Sequence, residues 1–313
     1  MMDRSVPPFA PRRSLGRTGF VATRLGIGDL ADRSVPFEQG VATARRALEA
    51  GLNVIDTAPG YESGYSEEIV GEAVRPFRER VFVVDKIDDL RSEVAPQVEA
   101  SLRRLRMEAA DAFVFHGVSA MADWERLAAP GGGLDQLDAC RAAGKVRFRG
   151  VSSHHPDVLR AAIEAGACDV VLFAVGPWCD ARYVDEILPL ARAHGAGTIC
   201  FKTFGAGKLL GDTSGYGRPL APRPRGKVSS GGRTDDAAPA ARPRLTVREC
   251  VHYTLTADPD VALLGLSFPN EQDAAFEAAL DFRPLAPDDM AALRARAAAA
   301  IAGKGPCWWN PGA

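Results

Sequence analysis

The sequence predicts a closed (β/α)8 TIM barrel, an α/β fold, and three observations carry that expectation. Short apolar segments rich in Val, Ile, Leu and Phe recur along the chain. Each is followed by a segment of helical periodicity, giving eight β-then-α steps. Such strands, separated by single helices, imply a parallel sheet buried on both faces. Eight units fit a closed barrel. The alternative, an open doubly wound sheet, lacks support because no G-x-G-x-x-G follows a strand. We therefore expect one barrel domain over residues 1–313, with an N-terminal β-hairpin, a C-terminal extra helix and a long flexible loop at about 211–245.

In order, residues 13–20 read as the hairpin, with Gly19 near the turn. Residues 24–28 form the first barrel strand. The helix over 37–50 stops at Gly51, a suitable C-cap. Strand two is Val54-Ile55, followed by a helix from about Ser66, whose hydroxyl is placed to cap it ahead of Glu67 and Glu68. Strand three is 80–86 and its helix 92–106, by apolar spacing. Strand four is 111–116, and its helix, 134–143, ends at Gly144. Strands at 146–151, 169–175 and 198–202 alternate with helices at 156–165 and 181–194, which close at Gly166 and Gly195. After the irregular stretch 211–244 come a helix at 246–256, the eighth strand at 261–266, a helix at 270–280 and a final Ala-rich helix at 287–302.

Composition excludes several classes. A net charge of −2 over 313 residues argues against a polyanion binder, so no nucleic-acid partner is expected. No apolar run approaches the roughly 18 residues of a membrane span. The N-terminus lacks an apolar h-region, and a cytoplasmic location is expected. The six cysteines show no C-x-x-C spacing, which suits free thiols better than a disulfide framework or a metal site. Residues 211–244 are rich in Gly, Pro and Arg; they are either a solvated loop or a lid over an anionic ligand.

Barrel enzymes gather their reactive groups at the C-terminal ends of strands. Strand two ends at Asp56, strand three at Lys86 and strand four at His116, and Tyr61 lies just beyond strand two. Alone, Asp56 and Tyr61 are equally readable as turn chemistry or as an acid–base pair. With Lys86 and His116 ending the next two strands, catalysis is the better reading. A lysine beside a phenol favours phenolate and lowers its pKa, a carboxylate keeps the lysine charged, and a neutral histidine can orient a carbonyl oxygen. That set suits a general acid protonating a carbonyl oxygen while another group delivers hydride.

The run D-T-A-x-x-Y at Asp56–Tyr61, then G-x-S-E, resembles the aldo-keto reductase signature, as do R-S-L-G-R-T-G near the start and the strand-ending Lys86 and His116. The resemblance implies a tetrad of Asp56, Tyr61, Lys86 and His116, with Tyr61 as the acid/base. It implies a nicotinamide cofactor, NADP(H) with NAD(H) as the alternative, held by Gly28, Asp29, Ser152, Ser153, Phe201, Lys202 and Ser267. Trp124, Trp178, Trp308 and Trp309 are candidates for the substrate pocket, the last two folding back onto the barrel mouth or onto a second subunit. The substrate implied is a small carbonyl compound or alcohol.

Three departures from the family pattern stand out. Leu172 replaces an amide that contacts the nicotinamide carboxamide, Asp29 stands where threonine is common, and Ala274-Ala275 replaces an adenine-contacting Glu-Asn. No Lys or Arg follows Ser267 to bind a 2′-phosphate. Arg218 or Arg223 of the basic loop is the candidate replacement for that charge. The runner-up reading is a barrel lyase, isomerase or epimerase using the same tetrad without net redox turnover.

Overall fold

The computed structural model describes residues 11–29, 31, 33, 35–210, 243–265, 269–304, 307, 309 and 310. Strands β1 (Arg12–Ser14) and β2 (Val21–Thr23) form an antiparallel hairpin around a turn in which Gly19 takes φ +74°. Eight parallel strands then close into a barrel. They are β3 (Leu25–Ile27), β4 (Val54–Asp56), β5 (Phe82–Ile87), β6 (Ala110–Phe115), β7 (Val146–Ser152), β8 (Val170–Ala174), β9 (Gly197–Phe201) and β10 (Val261–Leu264). The helices between them are α1 (Phe37–Glu49), α2 (Tyr65–Val74), α3 (Val94–Leu105), α4 (Met121–Ala128), α5 (Gly133–Ala142), α6 (Pro156–Glu164), α7 (Leu188–Ala193) and α8 (Val247–Ala257). Beyond β10 come α9 (Pro269–Leu280) and the extra helix α10 (Pro287–Ile301). The barrel, the hairpin and the extra helix are those the sequence predicts.

Strand side chains alternate between two apolar layers, as a period of two requires. Val54, Phe82, Val84, Ala112, Val114, Val170, Leu172, Ile199, Val261 and Leu263 fill the barrel interior. Leu15 and Ala22 of the hairpin join this layer, so the hairpin plugs the N-terminal end. The alternate residues, such as Ile55, Val83, Phe113, Phe115, Val151 and Val171, pack outward against the helices.

Several local details differ from the sequence reading. The helix after β4 starts at Tyr65 behind a left-handed Gly64, not at a Ser66 cap. Ser66 Oγ instead accepts a hydrogen bond from Thr57 Oγ1 at 2.9 Å. α4 is an additional short helix. The segment 181–194 is not one α-helix: Tyr183–Ile187 is π-helical and leads into α7. Pro189 sits in the first turn of α7 and has no N–H to donate, which disfavours a regular ladder across the junction. All six cysteines are free thiols.

Asp85 has outward parity on β5 and is fully buried beside Glu67, which Arg104 holds through an Nη2–Oε1 bond of 3.0 Å. Burial pushes the Asp85 carboxyl well up, and the Glu67 charge adds to this. The neutral carboxylic acid is thus favoured at Asp85. A raised folded-state pKa contributes stability below the unfolded value and loses it as pH rises through the folded value. Asp85→Asn mimics the protonated acid without titrating. Thermal melts at pH 5 and pH 9 should show the variant's Tm gaining on the parent's as pH rises; a gap that shrinks with pH would contradict this account.

Candidate active site

The interior parity carries past the apolar layer to the strand ends. On β4, Val54 points in and so does Asp56; on β5, Phe82 and Val84 point in and so does Lys86. His116 follows Ala112 and Val114 on β6 in the same way. Register sets the heights: Asp56 pairs with Val84, and Lys86 lies two residues beyond. Lys86 pairs with Val114, and His116 lies two residues beyond that. The barrel's shear thus raises the series by two residues per strand. Only a long side chain on β5 reaches back down to β4, and lysine has that length.

Lys86 is almost wholly buried, and its ammonium donates to Asp56 Oδ1 at 2.6 Å and to the Thr57 carbonyl at 2.7 Å. Its Nζ lies 4.6 Å from the Tyr61 ring centroid. The His116 ring meets Tyr61 edge-on, with centroids 5.7 Å apart. Burial disfavours the ammonium, but Asp56 and Tyr61 outweigh it and raise the Lys86 pKa. Burial also pushes the Asp56 carboxyl up, against the pull of Lys86. The pair at 2.6 Å is an ammonium–carboxylate pair at neutral pH. Tyr61 differs from the sequence expectation: burial outweighs Lys86, and the phenol is pushed up to about 12 rather than lowered. It is protonated over the whole working range, as a general acid must be.

The chain around Tyr61 is wound left-handed. Glu62 (φ 49°), Ser63 (φ 54°) and Gly64 (φ 86°) follow one another with positive φ, which costs non-glycine residues about 1 kcal/mol or more each. Arg33, from the loop after β3, holds the turn by donating from Nε and Nη2 to the Glu62 carbonyl at 3.1 and 2.7 Å. Tyr65, the other tyrosine nearby, points away, with its hydroxyl donating to the Val35 carbonyl at 3.4 Å.

The profile of the aldo/keto reductase family matches residues 23–295. The chain belongs to that family. This aldo/keto reductase is therefore an NAD(P)-dependent oxidoreductase. It is similar to the NADH-specific methylglyoxal reductase of Escherichia coli (strain K12), 29% identical over 226 residues, 63% of this chain and 68% of that protein. It is also similar to the aldo-keto reductase YhdN of Bacillus subtilis (strain 168), 26% identical over 301 residues, 84% and 87% of the two chains. Among solved structures, an aldo-keto reductase from Klebsiella pneumoniae in complex with NADPH aligns with a TM-score of 0.68 at 20% identity, covering 91% of this chain and 94% of that one.

In this aldo/keto reductase the other strand-end positions follow the same parity. Ser152 on β7 and Phe201 on β9 continue the interior rows begun by Phe148 and Ile199. Phe201 lies 5.4 Å, centroid to centroid, from the His154 ring, and burial with the nearby Lys202 pushes His154 down to about 3, so it is neutral. Ser153 turns aside, its hydroxyl donating to the Val118 carbonyl at 2.6 Å. Gly28 donates its N–H to the Leu264 carbonyl at 2.8 Å, and Asp29 Oδ1 accepts from Ala31 N–H at 3.0 Å. Lys202 takes a left-handed φ of 72°, with Nζ 5.5 Å from the Phe201 ring and 5.6 Å from Trp309. Leu172 is an interior, fully buried apolar residue.

Among the tryptophans, Trp309 is buried and folds back onto its own barrel. Its indole N–H donates to the Trp178 carbonyl at 3.0 Å, and the Tyr183 hydroxyl donates to its carbonyl at 3.3 Å. Trp178 is half-buried beside it. Trp124 sits on α4, buried in the outer apolar layer with Phe115, Val118 and Leu127. Ser267, Trp308, Arg218, Arg223 and the 211–242 part of the basic loop lie outside the described residues.

Removing one member of a buried ion pair strands the other charge and costs about 3–5 kcal/mol. Asp56→Ala should lower the unfolding free energy by that order, and adding Lys86→Met should recover part of it. Urea denaturation of both variants decides: an additive double loss would mean that the two side chains are not energetically coupled.

Proposed function

We propose that this chain reduces small aldehydes or ketones with NADPH, or with NADH as the alternative, and runs the reverse alcohol oxidation with the oxidised cofactor. The carrying observation is the buried Lys86–Asp56 pair at 2.6 Å set against a Tyr61 held protonated, with the His116 ring 5.7 Å away. A lysine is rarely taken into a barrel core for packing alone. The names of relatives support the substrate class: one acts on methylglyoxal, a small oxoaldehyde.

The residues present fit a nicotinamide cofactor. Thr203, just beyond β9, has a buried hydroxyl with no partner among the described residues, as a ligand-facing donor would. Ser152 and Phe201 offer a polar edge and an aromatic face at the same end of the barrel. Together with Gly28, Asp29, Ser153, Lys202 and Ser267 they are the residues we assign to holding it, and the bound dihydronicotinamide supplies hydride. Leu172 offers no hydrogen bond there, so the polar anchoring falls to Ser152 and its neighbours.

The protein's part is proton management. Tyr61 gives its hydroxyl proton to the carbonyl oxygen as negative charge develops on it. Lys86 stabilises the resulting phenolate, and Asp56 keeps Lys86 charged and in place. His116 orients the carbonyl oxygen towards Tyr61. Trp178 and Trp309, with Trp308, are assigned to walls of the substrate pocket; Trp124 is not, because it packs in the outer apolar layer on α4.

Two measurements test this. Tyr61→Phe should lower kcat for methylglyoxal reduction by about 10²–10⁴-fold, the usual worth of a general acid, with NADPH affinity unchanged. Retained activity would remove Tyr61 from the mechanism. Alcohol oxidation needs the phenolate, whose fraction grows about tenfold per pH unit below its pKa. With Tyr61 at about 12, the oxidation rate should still be climbing as pH approaches neutrality, and a plateau reached below about pH 6 would contradict the assignment.

A further inference from the structure

Asp88 lies two residues beyond Lys86, in the loop leaving β5. Its Oδ1 is 2.5 Å from His116 Nδ1, and its Oδ2 accepts the Gly60 N–H at 2.5 Å. One carboxylate thus ties the loop that carries Tyr61 to the imidazole facing Tyr61. An added Cβ at position 60 would meet Asp88 Oδ2 at 2.5 Å, so a side chain there would displace the carboxylate. Burial alone would raise the Asp88 carboxyl, but the bonds from His116 and Gly60 hold it below the usual carboxylate range. It is ionised at neutral pH.

We propose that Asp88 is a positioning residue that keeps a proton on His116 Nδ1, so that His116 can donate a hydrogen bond from Nε2 only as the imidazolium. The inference deepens the carbonyl-reductase reading and rests on it for its consequence in turnover. A carboxylate only accepts, so the nitrogen facing it must carry hydrogen. A neutral imidazole has one N–H, and Asp88 claims it. Nε2 is then an acceptor, which repels a carbonyl oxygen. The imidazolium has a second N–H at Nε2, aimed away from Asp88 and free to orient the substrate.

The titratable groups around His116 are Asp56 and Tyr61 from β4 and its loop, Lys86 and Asp88 from β5 and its loop, and His154 beyond β7. Tyr61 and His154 are neutral at working pH. Under this proposal reduction falls on the alkaline side when His116 loses its proton.

The test uses the full chain labelled with 15N-histidine, His116→Gln identifying the His116 signals. The neutral form in the parent protein should be the Nδ1–H tautomer. In Asp88→Asn the amide can satisfy Nδ1 or the Gly60 N–H but not both. The imidazolium should then be lost at least about one pH unit earlier, a tenfold change in its equilibrium. The alkaline limb of kcat/KM for reduction should move with it, with NADPH affinity unchanged; Asp88→Ala should show the same direction. A neutral form protonated on Nε2 in the parent, or an Asp88→Asn titration superimposable on the parent's, overturns the proposal. The spectra read the tautomer without turnover, so an active Tyr61→Phe would sink the reductase mechanism and leave this result to be judged separately.

Discussion

An ammonium group cannot sit in a barrel core without an anion beside it, and this constraint orders the reactive end of the molecule. Lys86 reaches across a strand to Asp56 at 2.6 Å and donates a second bond to the Thr57 carbonyl. Those two contacts fix where positive charge stands. The Tyr61 ring packs 4.6 Å from that charge, and the phenol is close enough to benefit from it once its proton leaves. The cost of the burial is high and its partner geometry is correspondingly good, as is usual for pairs retained in low-dielectric surroundings.

The same strand shows how parity decides chemistry. Asp85 and Lys86 are adjacent, both fully buried, and face opposite layers. Lys86 points into the barrel and meets an opposite charge. Asp85 points out, meets Glu67, and has its carboxyl pKa pushed well up. Neighbours in sequence thus meet different electrostatic surroundings because strand side chains alternate and the two faces hold different partners.

Much of this was legible in the chain itself. The apolar runs are long enough, and the helices between them periodic enough, to count eight units. Asp56, Lys86 and His116 each end such a run, so their convergence follows from parallel strands alone. The sign of the Tyr61 shift was not legible, because it depends on how deeply the ring is buried relative to its distance from Lys86. Short elements such as α4 were missed, since eight residues beside an Ala-Pro-Gly-Gly stretch carry little periodic signal. Asp88 was missed too, although a signal existed. It shares the parity of Lys86 one step further on, so extending the inward row past the strand would have reached it. The side of His116 that it binds depends on loop conformation, which no spacing rule encodes.

The left-handed run at Glu62–Gly64 has a consequence for how this molecule would respond to evolution or engineering. Glycine or asparagine at positions 62 and 63 would relax the backbone and, judged by folding alone, improve the protein. The same change would let the Tyr61 loop wander among conformers that Arg33 and Asp88 now exclude. A screen for thermostability and a screen for turnover should therefore pull these two positions in opposite directions. The strain marks a site where rigidity has been chosen over ease of folding.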